Sequence, residues 1–138
     1  MAGALDRGVG PGRLRELGEE LAGRRPGTGV RGPVRAFAAR DPESGALVGG
    51  CELRLGPDGT GEVSYWTHAS QRGRGHARDA LALLVGYAAS IGVTRLEARI
   101  AHDNHASRRV AEAVGFAQAG TFTDDGGTEM LRYTRGAS

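Results

Sequence analysis

Residues 61–101 read as strand, glycine turn, helix, strand, and that order constrains the fold more than any other feature of the chain. Gly61 to His68 is strand-like. Arg72-Gly-Arg-Gly-His-Ala77 follows it. Ala77, Ala80, Leu81, Leu84, Val85, Ala88 and Ile91 then recur at helical spacing up to Gly92. Arg95 to Ala101 alternates, with Leu96, Ala98 and Ile100 on one side. Two strands joined through a helix imply a parallel contact, and an α/β fold around it.

The flanking segments predict an antiparallel remainder. Val34 to Ala39 and Ala46 to Leu55 read as strands around the Asp41 to Gly45 turn. Pro57-Asp58-Gly59 joins the second of them to the Gly61 strand as a hairpin. Gly49-Gly50 marks a bulge or a close backbone approach. His105 to Val114 reads as a second helix, closed by Gly115. Ala117 to Phe122 and Thr128 to Thr134 form a final pair of strands around Asp124-Asp125-Gly126-Gly127. Upstream, Leu14, Leu17 and Leu21 have helical spacing, and 24–32 is a Pro/Gly-rich connector. The expectation is one domain over 1–138, with 1–12 disordered.

A glycine turn that opens a helix can bind a pyrophosphate. The glycines let the backbone approach a ligand closely, the first helical N–H groups lack intrahelical partners, and the helix dipole favours an anion there. Arg72, Arg74 and Arg78 add full charges. An ATPase-type phosphate loop needs a lysine after its last glycine, and all 18 basic residues here are arginine. A dinucleotide fold places its glycine turn in the first strand–helix unit, whereas this one lies past mid-chain.

The net charge of +2 comes from arginines interleaved with acids, which does not describe a nucleic-acid surface. No run approaches the ~20 apolar residues of a membrane span, and the start of the chain lacks the order of a signal peptide. A single cysteine, Cys51, forms no internal disulfide. The cytosol is the simplest compartment for such a chain. His102 and His105 lack the partners of a zinc set, so no metal is expected.

Asn104-His-Ala-Ser107 opens the second helix. Asn104 and Ser107 share a helix face. Asn104 suits the capping position, and a cap beside a site can still offer its other polar atom to a ligand.

Together these stretches resemble the GNAT acetyltransferase superfamily, and within it the branch of the ribosomal-protein N-terminal acetyltransferases. The matching residues are Tyr65-Trp66, Arg72 to Ala77 followed by Asp79-Ala80-Leu81, Asn104 to Ser107, and Gly115-Phe116. The family's loop pattern is Gln or Arg, two residues, Gly, one residue, then Gly or Ala; Arg72, Gly75 and Ala77 satisfy it. The likeness runs from about Ala36 to Thr134.

The resemblance implies a GNAT fold: a mixed, mostly antiparallel sheet with flanking helices and a central β-α-β acetyl-CoA site. It implies a bacterial N-acetyltransferase that moves an acetyl group from acetyl-CoA to a primary amine, either a protein N-terminus or a small molecule. N–H groups from Gly73, Arg74, Gly75, His76, Ala77 and Arg78 would hold the pyrophosphate. The pantetheine arm would lie along Ser64 to His68, with Tyr65, Trp66 and Thr67 at its side, in a gap where that strand splays from the next. Asn104 and Ser107 would face the arm from across that gap. A strand N–H near Trp66 or Thr67 suits the oxyanion.

Many family members carry a tyrosine seven residues after the asparagine to protonate the leaving thiol. Here that position is Ala111, and Ser107 is the nearest hydroxyl on the face. Glu62 is the first choice of general base, because it heads the cofactor strand and shares a face with Ser64, Trp66 and His68. Glu52 and His68 are alternatives. Family members usually begin with an edge strand and a helix. This chain reads as starting at the helix after them, which would leave Val34 to Ala39 as an open edge available for homodimer pairing. A chain shortened in that way could also be a non-catalytic CoA-binding or interaction module.

Overall fold

The computed structural model describes residues 17–20, 33–67, 72–73 and 75–137 of the 138-residue chain. Among these residues seven strands form one sheet: β1 Leu17–Glu20, β2 Val34–Arg40, β3 Leu47–Leu55, β4 Thr60–Thr67, β5 Arg95–Ala101, β6 Ala117–Thr123 and β7 Glu129–Gly136. Two helices join them, α1 His76–Ser90 and α2 His105–Ala113. The spatial order is β1-β2-β3-β4-β5-β7-β6, and β4 with β5 is the parallel pair. All other neighbours are antiparallel. This is the expected mixed α/β architecture with its central β-α-β unit. The expected disorder of 1–12 and the connector 24–32 lie outside the described residues.

One predicted element changes type. Leu17–Glu20 is a strand and not part of a helix, and it runs antiparallel to β2 from Leu17↔Ala39 to Glu20↔Ala36. Gly18 weakens a helix by about 1 kcal/mol relative to alanine. The unpaired N–H and C=O groups along β2 offer these residues a ladder instead. The open edge expected at Val34–Arg40 is therefore covered within the described residues.

Alternation in β4 and β5 sets the two faces of the sheet. Gly61, Val63, Leu96, Ala98 and Ile100 turn toward the helices and are buried, whereas Glu62, Ser64, Trp66, Glu97 and Arg99 turn to the other face. Leu81, Leu84 and Ala88 of α1 are fully buried in the same core as Leu53, Val63 and Leu96. Leu83 is buried too, and Tyr87 one turn on meets Phe37 of β2 edge-to-face, with ring centroids 5.0 Å apart. The apolar face of α1 is thus wider than the sequence spacing suggested, because the helix also reaches toward β2. Ile91, expected in that face, lies beyond the helix end and is exposed.

The close approach expected of Gly49 and Gly50 is present, and the bulge falls beside them, at Val48. The β2–β3 register skips from Ala39↔Gly49 to Arg40↔Leu47, which is a bulge. A Cβ on Gly49 would run into the carbonyl of Trp66, and one on Gly50 would come within 2.8 Å of the Trp66 indole nitrogen. The backbone of β4 is therefore laid directly on β3 next to the residues expected to carry the cofactor.

Cys51 is 1% exposed, and burial, with the nearby Glu52 charge, pushes its thiol up to about 12. It is a neutral core residue.

Candidate active site

The parallel contact between β4 and β5 is short. It runs from Thr60↔Arg95 to Val63↔Ala98 and stops. Past it, Ser64 to Thr67 stays on β3 through Glu52 to Gly49, and Arg99 to Ala101 stays on β7 through Arg132 to Met130. The two strands part company and leave an opening in the middle of the sheet.

A cleft of about 910 Å³ lies against that opening. Its walls come from three places: Tyr65, Trp66 and Thr67 of β4, the glycine turn with the start of α1, and α2 from Asn104 to Ala113. Gly73 and Gly75 both have left-handed φ, +81° and +80°, a conformation that costs a side chain and suits glycine. Gly75 is the residue before α1, and no side chain caps that helix. The free N–H groups of its first turn face the cleft between Arg72 and Arg78. An uncapped N-terminus with a cation on each side suits an anionic group.

The far wall is built differently. Asn104 caps α2, its Oδ1 accepting from the N–H of Ser107 at 3.1 Å. The Tyr65 hydroxyl donates to the Ser107 carbonyl at 2.9 Å and so ties β4 to α2. On the outer side, Arg108 donates to the hydroxyl of buried Tyr133 at 3.2 Å, and Tyr133 donates to Glu112 at 3.0 Å. These bonds fix the helix that presents Asn104 and Ser107.

Eleven of the residues singled out from the sequence line this one cleft: Tyr65, Trp66, Thr67, Arg72, Gly73, Gly75, His76, Ala77, Arg78, Asn104 and Ser107. Arg74 and His68 lie outside the described residues. His76 differs from its neighbours in being 6% exposed, with neither ring nitrogen hydrogen-bonded. Four lining residues were missed: Ala106, Arg109, Val110 and Ala113. Their spacing of three, four and seven is one helix stripe that starts at Ala106; the face drawn through Asn104 and Ser107 continues instead to Arg108 and Ala111, so it did not point to them.

Glu62 does not line the cleft. It stands on the opposite face of the sheet, one residue before the last paired rung, at the rim of the opening. Its Oε2 lies 3.6 Å from Arg99 Nε. Arg99 also sits over the Phe122 ring at 5.5 Å, and Glu97 pairs with Arg132 at 3.4 Å. Glu52, opposite Ser64 in the register, is on the same face. The opening therefore has the cleft on one side and a row of carboxylates and guanidiniums on the other.

A family model described as an acetyltransferase (GNAT) domain matches residues 14–117. The fold superposes on Mycobacterium smegmatis RimJ in complex with CoA-disulfide, with a TM-score of 0.67 and 26% identity over 75% of this chain and 53% of that one. It superposes also on the ribosomal-protein-S5-alanine acetyltransferase of Vibrio fischeri, with a TM-score of 0.70 and 18% identity over 76% and 62%. A third likeness is to yncA of Salmonella typhimurium, solved with its cofactor acetyl-CoA, with a TM-score of 0.67 and 21% identity over 76% and 65%. The chain thus spans 53%, 62% and 65% of the length of these three proteins. No curated protein sequence matches it.

Proposed function

The chain belongs to the GNAT acetyltransferase family, and from that premise we propose that it moves an acetyl group from acetyl-CoA to a primary amine by direct attack in a ternary complex. One observation carries the proposal. A single cleft joins an uncapped helix N-terminus, entered through two left-handed glycines, to a stretch of β4 that has lost its β5 neighbour. The first feature suits a pyrophosphate, and the second leaves strand edge for an extended amide-bearing arm to pair with. The RimJ and yncA complexes, which carry CoA-disulfide and acetyl-CoA, support the same choice of ligand.

In this reading the N–H groups from Gly73 to Arg78 hold the pyrophosphate, with Arg72 and Arg78 as counter-charges. Asn104 keeps its Oδ1 on the Ser107 N–H and has its amide NH₂ left to donate to the pantetheine arm. A β4 N–H near Trp66 or Thr67 meets the developing oxyanion. Glu62 takes the proton of the attacking amine, directly or through a water, from the face opposite the cleft. Ser107 is the hydroxyl nearest the departing thiol on the α2 wall. The acceptor is a protein N-terminus or a small-molecule amine.

The binding half is tested at Gly75. At φ +80° a side chain is strained, and its Cβ would lie 3.3 Å from the Arg78 guanidinium. Gly75→Val should weaken CoA about tenfold or more, on the order of 1.4 kcal/mol. Calorimetric titration of both proteins reads this directly, and equal affinities would remove the pyrophosphate from this turn.

Asn104 separates its two duties by substitution. Asn104→Ala should cost roughly 1 kcal/mol of stability through the lost cap. Asn104→Asp retains a capping oxygen but loses the amide donor, so it should keep stability and bind CoA more weakly. An aspartate variant with parental CoA affinity would reduce Asn104 to a cap.

A further inference from the structure

Among the described residues three hydroxyls line the cleft, those of Tyr65, Thr67 and Ser107, and one of them spans it. Val63 is the last β4 residue with a β5 neighbour. Alternation returns the next helix-side position to Tyr65, which is therefore the first helix-side residue inside the opening. Its hydroxyl reaches the Ser107 carbonyl at 2.9 Å, so it sits where the cleft meets the gap in the sheet. Glu62 and Arg99 stand at the rim of the same gap on the other face. A thioester fed along the cleft from the α1 end, and an amine arriving from the Glu62 side, meet at this point.

We infer that the Tyr65 hydroxyl is the hydrogen-bond donor to the sulfur of the departing thiol, turning from the Ser107 carbonyl to the sulfur as the carbon–sulfur bond breaks. The inference rests on the cofactor reading above. The electron pair of the broken bond goes to sulfur, and the amine proton goes to the Glu62 side. The Tyr65 proton stays on oxygen. Burial, partly offset by the bond to Ser107, pushes this phenol up to about 12. An ordinary thiol ionises near about 8.5, so the phenol cannot protonate a thiolate to any extent. It can stabilise one through a charge-assisted hydrogen bond, which is stronger than the neutral bond it replaces. The thiolate then leaves as such or is protonated from water. Ser107, a helix carbonyl, is still placed for the ordinary bond from four residues on.

Tyr65→Phe removes the hydroxyl alone. The thiol of bound CoA is titrated across pH by the ultraviolet absorbance of its thiolate, in the parent and in the variant, and CoA affinity at neutral pH is measured beside it. The thiol should ionise at lower pH on the parent than on Tyr65→Phe, by about one unit or more, as a hydrogen bond to a charged group implies. With acetyl-CoA and an amine, kcat should fall about tenfold or more and KM for acetyl-CoA should hold. If both proteins give the same thiol titration while the variant loses CoA affinity or thermal stability, Tyr65 is only a strut between β4 and α2, and the inference is overturned. If the parent does not bind CoA, the cofactor reading itself fails, an outcome distinct from equal titrations.

Discussion

Glu62→Gln is expected to lower turnover by about 10²–10⁴-fold, the usual contribution of a positioned base, and to leave CoA affinity unchanged. The expectation follows from where Glu62 stands. It is on the face of the sheet away from the cleft, so it has no place against the cofactor, but it is at the rim of the opening through which an amine would reach a thioester. Its contact with Arg99 at 3.6 Å is part-exposed, and such pairs stabilise by only about 0–1 kcal/mol. Loss of the charge should therefore register in rate far more than in folding. The residual activity should rise with pH as solution supplies more free amine. A variant that keeps the parental rate and pH profile would exclude Glu62 and move the role to Glu52, its neighbour on the same face.

Leu84→Ala is expected to cost about 2–5 kcal/mol of stability, a large part of the roughly 5–15 kcal/mol that holds a domain together. Leu84 is 0% exposed and packs in the cluster that joins α1 to β3, β4 and β5. Deleting its branched end leaves a hole between helix and sheet that neighbouring side chains only partly fill. At this chain length the midpoint of thermal unfolding should drop by roughly 6–15 °C. Protein that remains folded should bind CoA with parental affinity, because the first turn of α1 meets the cleft and the middle of the helix does not. Calorimetric melting together with titration separates the two effects. A loss below about 1 kcal/mol would show that α1 is not packed as the structure has it.

The contrast between these residues reflects what a sequence exposes. α1 was legible because Ala80, Leu81, Leu84 and Ala88 repeat at helical spacing, and a periodic pattern survives without knowledge of partners. The cleft was legible for a related reason: the glycine turn and Asn104 to Ser107 are local signals at helix starts, and the β-α-β order brings both to one end of the sheet. Leu17–Glu20 misled because four residues carry too little pattern. Leucine spacing argued helix, and only the unpaired edge of β2 made a strand of it. The bond from Tyr65 to Ser107 could not be read in advance, since it joins residues 42 apart through a change of direction that depends on where the β4–β5 ladder ends. The same ending puts Glu62 at a rim and not inside the cleft.

Acetyl transfer is tested most directly by release of CoA thiol from acetyl-CoA by the purified chain, followed with and without a panel of amines that includes a peptide N-terminus, a polyamine and an amino sugar. The predicted result is amine-dependent release for at least one class, with an acetyl group gained by that amine in the mass spectrum and the signal lost in Glu62→Gln. Saturable CoA binding without amine-dependent release from any class would contradict it and leave a CoA-binding module in place of an acetyltransferase.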